Sequence, residues 1–237
     1  VKTCFATVVT EGYMDYALVA LDSLKKNSGF DIPCYVFCGN HPECNWLSIE
    51  KRKKELEFIY DNLIFKEVDY PEYLKNDKKW PHYWSHEVFK IRDYDRVIFY
   101  DADIICLKDI TDIPEVDLGF TWEAARDQYY AGFFVVGKSY LNDELYESLM
   151  KHHQNPKTWG KDQAVYNEHF DKKQITELDL KYNAVNDKSD QIEDVRVLHY
   201  IYKPDSSRGK ICLTKEQYNL WYDWLGKIKE RLKKVGL

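Results

Sequence analysis

Strand-like and helix-like segments alternate along the first hundred residues, and that alternation most narrows the folds open to this chain. The β-branched and aromatic run Phe5-Ala6-Thr7-Val8-Val9-Thr10 reads as a strand. Residues 16–26 follow with apolar side chains at 17, 18, 20, 21 and 24, one face of a helix. Residues 34–38 read as a second strand, 46–60 as a helix with Lys and Glu outward, and 63–68 as a third strand. Parallel strands need a crossover, and helical crossovers cover the faces of the sheet, so the order predicts a mainly parallel sheet with helices on both faces. A helix over 84–92 leads into the apolar strand 96–100. Strands at 118–122, 132–136 and 195–199 and helices at 140–152 and 162–170 complete the series.

No internal repeat, Gly/Ser linker or break in composition divides the 237 residues, a length that suits one large domain. The expectation is one Rossmann-like α/β domain over 1–213 and a C-terminal amphipathic helix over 214–237 packed on it. That helix opens with the capping-box pair Thr214 and Gln217 and aligns Leu220, Trp221, Trp224, Leu225, Ile228 and Leu232 on one face. Its basic tail (Lys227, Lys229, Arg231, Lys233, Lys234) also suits peripheral contact with a membrane surface. A second copy of the chain is a further partner left open.

The formal charge of −6 argues against nucleic acid as the main partner, since backbone binding demands a broad basic surface. No apolar run approaches the ~18 residues of a membrane span, and the amino end lacks the apolar stretch of a signal peptide, so a cytoplasmic location is expected. Cys34, Cys38, His41 and Cys44 cluster in sequence but fit standard zinc spacings poorly; the two cysteines in the strand read as small buried hydrophobes. The 19 tyrosines and 7 tryptophans supply flat amphipathic rings that pack a core or stack on bases and sugars.

The densest chemical signal is Val97-Ile98-Phe99-Tyr100-Asp101-Ala102-Asp103, an apolar strand that delivers two carboxylates one residue apart. Ligands of open α/β sheets gather beyond the carboxyl ends of the strands, where such a pair repels itself unless neutralised. Hard carboxylate oxygens suit Mg²⁺ or Mn²⁺. The plainer reading is a turn cap and a solvated Asp. Two enzyme classes place Asp-x-Asp after such a strand. Haloacid-dehalogenase-type phosphatases use the first Asp as nucleophile, normally on the first strand of the catalytic domain, whereas about 100 residues precede it here. Nucleotide-sugar glycosyltransferases of the GT-A fold use the pair to hold the metal on the diphosphate.

The chain resembles the second class, in glycosyltransferase family eight, the glycogenin-like group, over most of its length. Val9-Thr10-Glu11-Gly12-Tyr13 resembles the first strand and nucleotide loop, and Tyr94 to Asp103 the metal motif. Ala131-Gly132-Phe133-Phe134 is similar to a strand that usually begins Asn-Ser-Gly or Asn-Ala-Gly. Asp162-Gln163 with Asn167 resembles an Asp-Gln-x-x-x-Asn helix start; Tyr182-Asn183 and His199 with Lys203-Pro204 resemble the closing elements. Tyr130 stands where the family usually has Asn, a Lys common before the metal motif falls near Ser85 or His86, and the span from His199 to Lys203 is short.

The resemblance implies a metal-dependent, retaining transfer from a UDP-sugar to a glycan, protein or lipid-linked hydroxyl. Asp101, Asp103 and His199 would hold Mn²⁺ or Mg²⁺. Thr10, Tyr13, Asp101, Ala102 and Lys203 would bind the nucleotide sugar, with Arg208 or Lys210 as substitutes for Lys203. Asp162 and Gln163 would act at the donor sugar. Each has a plainer alternative: a turn tyrosine at 13, helix-start residues at 162 and 163, a structural histidine at 199. A catalytically inactive GT-A domain serving as a carbohydrate- or protein-binding module is the reading from another class.

Overall fold

The computed structural model describes residues 1–39, 46–68, 80–123, 127–153, 162–185, 189–201, 204–206 and 213–237. The opening run becomes β1 (Thr3–Val8) and the stretch after it α1 (Met14–Asn27). Then come β2 (Cys34–Gly39), α2 (Trp46–Ile59), β3 (Leu63–Val68), a 3₁₀ segment (Trp80–Lys90) and β4 (Arg96–Tyr100). After β5 (Ile104–Cys106) the chain forms β6 (Leu118–Glu123), β7 (Gln128–Gly137), α3 (Asp143–His153) and α4 (Asp162–His169). Three short strands, β8 (Thr176–Leu178), β9 (Ala184–Val185) and β10 (Val197–His199), precede α5 (Lys215–Lys234).

The central sheet has the order β3-β2-β1-β4-β7-β6-β8. Strands β3, β2, β1 and β4 run parallel; β7 is antiparallel to both β4 and β6, and β8 is parallel to β6. β1, β2 and β4 are apolar nearly throughout because both sides of the sheet are covered. Phe134 stacks between Phe99 (centroids 4.6 Å apart) and Phe120 (4.9 Å), so the antiparallel junction is packed as tightly as the parallel half.

This topology creates the site. In register, β1 and β4 end side by side, so the chain after Val8 and the chain after Tyr100 emerge at one edge. The antiparallel β7 passes Gly132 along that edge, where its carbonyl accepts from the Asp101 N–H at 2.8 Å. A second sheet, β5-β10-β9, lies just beyond; pairing of His199 with Ile104 brings β10 back beside Asp103.

Two expected elements differ. Of the helix expected over 84–92, residues 84–90 belong to the 3₁₀ run Trp80–Lys90 and 91–92 to no helix, in keeping with weak helix formers such as Trp84, Val88 and Phe89. The helix expected from 140 begins at Asp143, because the Asn142 side chain accepts from the Leu145 N–H at 2.8 Å and caps it there. The small second sheet was not anticipated.

The capping box forms as its sequence predicts: Thr214 Oγ1 accepts from the Gln217 N–H and Gln217 Oε1 accepts from the Thr214 N–H. α5 buries Trp221, Leu225, Ile228 and Leu232, and Trp221 lies 4.9 Å from the Tyr16 ring of α1. The apolar face that a membrane surface would take is thus packed on the body of the chain. Among the described residues no helix is long and apolar enough to cross a membrane. Cys4, Cys34, Cys38 and Cys106 are buried free thiols, and His41, Cys44 and Cys212 lie outside the described residues.

Asp22 of α1 ties α5 down. Its side chain is 2% exposed and accepts from Trp224 Nε1 (2.8 Å), Arg231 Nη1 (2.6 Å) and Lys26 Nζ (2.6 Å). Removing one partner of a buried charge cluster costs about 3–5 kcal/mol, and the half-exposed cations can rehydrate, which favours the lower figure. Asp22→Ala is expected to lower the melting temperature by about 6–12 °C, as a thermal melt by circular dichroism will show. A shift below 2 °C would mean that α5 is held by its apolar face alone.

Candidate active site

Where β4 ends, the backbone turns and presents Asp101 and Asp103 on either side of the buried Ala102. The turn is fixed by bonds from both flanks: Asp101 N–H donates to Gly132 O, and Tyr200 N–H donates to Asp103 O, each at 2.8 Å. His199 Nε2 lies 3.3 Å from Asp103 Oδ1 and 3.6 Å from Asp101 Oδ2. One ligand atom from each of the three residues falls within 4.8 Å of the others.

Hydrogen-bond accounting fixes the histidine's tautomer. Asn183, fully buried, donates its Nδ2 to Thr121 Oγ1 at 2.9 Å, so its Oδ1 faces His199 Nδ1, also at 2.9 Å. An amide oxygen only accepts, so Nδ1 carries a proton, and in the neutral ring Nε2 turns a lone pair toward the carboxylates. That is the arrangement a metal-ligating histidine needs. Space is kept by Gly132, where a Cβ would lie 2.2 Å from His199 Cε1 and 3.0 Å from Asp101 Oδ2. Two hard oxygens, one imidazole nitrogen and a neighbour that only glycine permits fit Mn²⁺ or Mg²⁺.

The electrostatics agree. Withdrawal from bulk water pushes the Asp101 carboxyl well above the usual carboxylate range; His199 opposes this, and Asp103 and Asp162 reinforce it. Burial would lower His199, but Asp103 and Asp101 outweigh it and raise the imidazole above its ordinary value. The Asp101 shift is chiefly one of burial, with the neighbouring carboxylates adding to it, whereas the His199 shift reports their negative charge.

Beside this cluster lies a cavity of about 180 Å³ lined by Val8, Thr10, Tyr13, His82, Ser85, Phe99, Asp101, Ala102, Asp103 and Asp162. Thr10 and Tyr13 sit on the short turn after β1, where Tyr13 N–H donates to Thr10 O at 2.9 Å. Burial, then the nearby Asp103 and Asp101, raises the Tyr13 phenol above its ordinary value; the three residues line the same cavity. Asp162 opens α4, 8% exposed, with both oxygens engaged: Oδ1 accepts from the Gln163 N–H (2.8 Å) and Oδ2 from Ser85 Oγ (2.9 Å).

The structure thus brings together Thr10, Tyr13, Asp101, Ala102, Asp103, Asp162 and His199, which are separated by up to 189 residues in sequence. Gln163 is not among the residues that line the cavity; its Oε1 accepts from the Ala131 N–H at 3.4 Å. Lys203, Arg208 and Lys210 lie outside the described residues. Sequence reasoning passed over His82 and Thr121, and reached Asn183 only as part of the family-like Tyr182-Asn183 element. For Gly132 a signal was at hand, since a glycine inside a strand often marks close approach of another group.

Comparison with known proteins agrees with this geometry. The sequence profile described as glycosyl transferase family 8 matches residues 4–148. The fold is similar to glycosyltransferase GlyE of Streptococcus pneumoniae TIGR4, at 16% identity and a TM-score of 0.71 over 99% of this chain and 64% of GlyE. It is similar to the galactosyltransferase LgtC, whose structure holds donor and acceptor sugar analogues, at 18% identity and a TM-score of 0.67 over 94% of this chain and 95% of LgtC. The bifunctional glycosyltransferase WbbM aligns at 14% identity and a TM-score of 0.70 over 97% of this chain and 51% of WbbM. The chain therefore spans only 64% of GlyE and about half of WbbM. No curated protein sequence matches. The family assignment sets the phosphatase reading of Asp101 aside. With its family's profile matched across more than half its length and a GT-A fold around the carboxylate pair, the chain belongs to glycosyl transferase family 8.

Proposed function

We propose that this chain is a retaining, divalent-cation-dependent glycosyltransferase that moves a sugar from a UDP-sugar to a hydroxyl of a glycan, a protein or a lipid-linked acceptor. The observation that carries the reading is the convergence of Asp101, Asp103 and the Nε2 lone pair of His199 beside a cavity that Asp162 also lines. Among the described residues that line it, three carboxylates face the cavity and no Lys or Arg does. A bare diphosphate would be repelled there. Asp101, Asp103 and His199 would hold a divalent cation, which would supply positive charge for a bound and departing diphosphate.

The remaining roles fall to the chain's own groups. Tyr13 offers a ring for the base and Thr10 a hydroxyl and backbone at the same turn. Ala102 brings main chain to the nucleotide, and Lys203 completes the diphosphate contacts. Asp162 holds its carboxylate at the wall where positive charge grows on the sugar ring as the glycosidic bond lengthens; stabilising charge that exists only in the transition state is what speeds a reaction. Gln163 serves the same end of the donor. The retaining outcome and the UDP donor rest on the family resemblance of these segments.

The test is thermal stability with UDP, with and without Mn²⁺. Saturating UDP with Mn²⁺ is expected to stabilise the protein by about 2.7 kcal/mol at a hundredfold excess over Kd. UDP with EDTA is expected to give no shift. Equal stabilisation in EDTA would show that the nucleotide is held without the carboxylate pair.

A further inference from the structure

The wall that carries Asp162 contains a buried polar chain that the proposed chemistry has not used. Ser85 and His86, on the 3₁₀ segment, are 1% and 0% exposed, and Tyr166, one turn along α4 from Asp162, is 1% exposed. Their polar atoms are in line: His86 Nδ1 to Tyr166 Oη is 2.7 Å, Tyr166 Oη to Ser85 Oγ is 2.7 Å, and Ser85 Oγ to Asp162 Oδ2 is 2.9 Å. No water is needed to connect them.

Counting protons gives the chain a direction. An ionised carboxylate only accepts, so an oxygen 2.9 Å away must turn its proton toward it or set two lone pairs against each other. Ser85 has one proton, and the charged acceptor outcompetes the neutral carbonyl of His82, 3.0 Å from the same hydroxyl. Ser85 Oγ is then an acceptor toward Tyr166, whose single proton points at Ser85. Tyr166 Oη in turn accepts from His86, so His86 carries its proton on Nδ1. Every donor in the series aims at Asp162, and hydrogen bonds aligned in this way polarise one another.

We propose that Ser85, aligned by Tyr166 and His86, is a positioning residue that holds the Asp162 carboxylate in its working orientation at the cavity wall. This rests on the reading of Asp162 given above. With Oδ2 fixed by Ser85 and Oδ1 by the Gln163 N–H, the carboxylate cannot rotate without losing a bond at each oxygen. The residue so held lines the cavity.

Two measurements test it. In ¹⁵N-histidine NMR of the wild type, His86 should be protonated at Nδ1; a proton on Nε2 alone would reverse the chain and overturn the proposal whatever the activity. The second is a double-mutant cycle. It uses cation-dependent UDP release from whichever of UDP-glucose, UDP-galactose and UDP-N-acetylglucosamine the wild type turns over fastest.

Ser85→Ala should lower kcat about tenfold to hundredfold, the range for a lost hydrogen bond to a charged group, with KM and UDP affinity nearly unchanged. Tyr166→Phe, which keeps the ring and removes the hydroxyl, should lose less but in the same parameter. In the Asp162→Asn background Ser85→Ala should have no further effect, since the group it positions is gone. Losses that multiply would show that Ser85 acts independently of Asp162 and sink the proposal. Loss in Asp162→Asn with none in Ser85→Ala would overturn the positioning role alone. Loss in neither would overturn the underlying reading of Asp162.

Discussion

Asp103→Asn will lower sugar transfer by on the order of 10³-fold or more, because charge stabilisation by a bound metal is worth several kcal/mol. Asp103 is the more enclosed of the carboxylate pair, its side chain 10% exposed against 43% for Asp101, and the one nearer His199 Nε2. An amide there keeps the shape but supplies a neutral oxygen, and its N–H₂ can turn toward the histidine lone pair. The fold should survive. The main-chain bond from Tyr200 N–H to Asp103 O does not involve the side chain, and easing repulsion between carboxylates costs nothing in stability. The variant should therefore melt within about 1 °C of wild type or above it while losing Mn²⁺-dependent UDP binding in calorimetry. Near-normal turnover would place the cation site elsewhere.

Much of this site was legible before any coordinates. Strands β3 and β4 fall where the apolar runs at 63–68 and 96–100 place them, and an apolar strand ending in Asp101-Ala102-Asp103 already implies a ligand at a strand's carboxyl end. The second sheet was not legible for a physical reason. β10 falls within the strand read at 195–199, but β5 and β9 have three and two residues, too few for a period to show, and β10 meets β5 across more than 90 residues. His199 was reached only through the order of family-like segments. The tautomer that makes it a usable ligand depends on Asn183 and Thr121, whose meeting is a product of tertiary packing. Ser85 is the same kind of case: a serine among aromatics carries no signal until α4 is seen to set Tyr166 and Asp162 on either side of it.

Asp162→Asn is the second large effect, and it separates an active transferase from a module that kept only its metal site. The carboxylate lines the same cavity as Thr10 and Tyr13, and it is close enough to Asp101 to raise that group's carboxyl. If its charge serves the developing positive ring, kcat should fall by about 10²–10³-fold, the usual cost of one preorganised electrostatic group. UDP carries no sugar, so its affinity with Mn²⁺ should change by less than about twofold. A loss confined to kcat marks an interaction made in the transition state. Equal losses of UDP affinity and rate would make Asp162 a structural residue of α4.

The central claim is that Asp101, Asp103 and His199 hold the cation through which this chain turns over a UDP-sugar. It is tested most directly by mass-spectrometric detection of UDP and free or transferred sugar from a panel of UDP-sugars, with Mn²⁺, with EDTA, and with Asp103→Asn. UDP and sugar products are expected from at least one donor with Mn²⁺, and background levels in both other arms. Undiminished product in EDTA would contradict the cation site. Normal Mn²⁺-dependent UDP binding without turnover of any donor would make the chain a binding module instead.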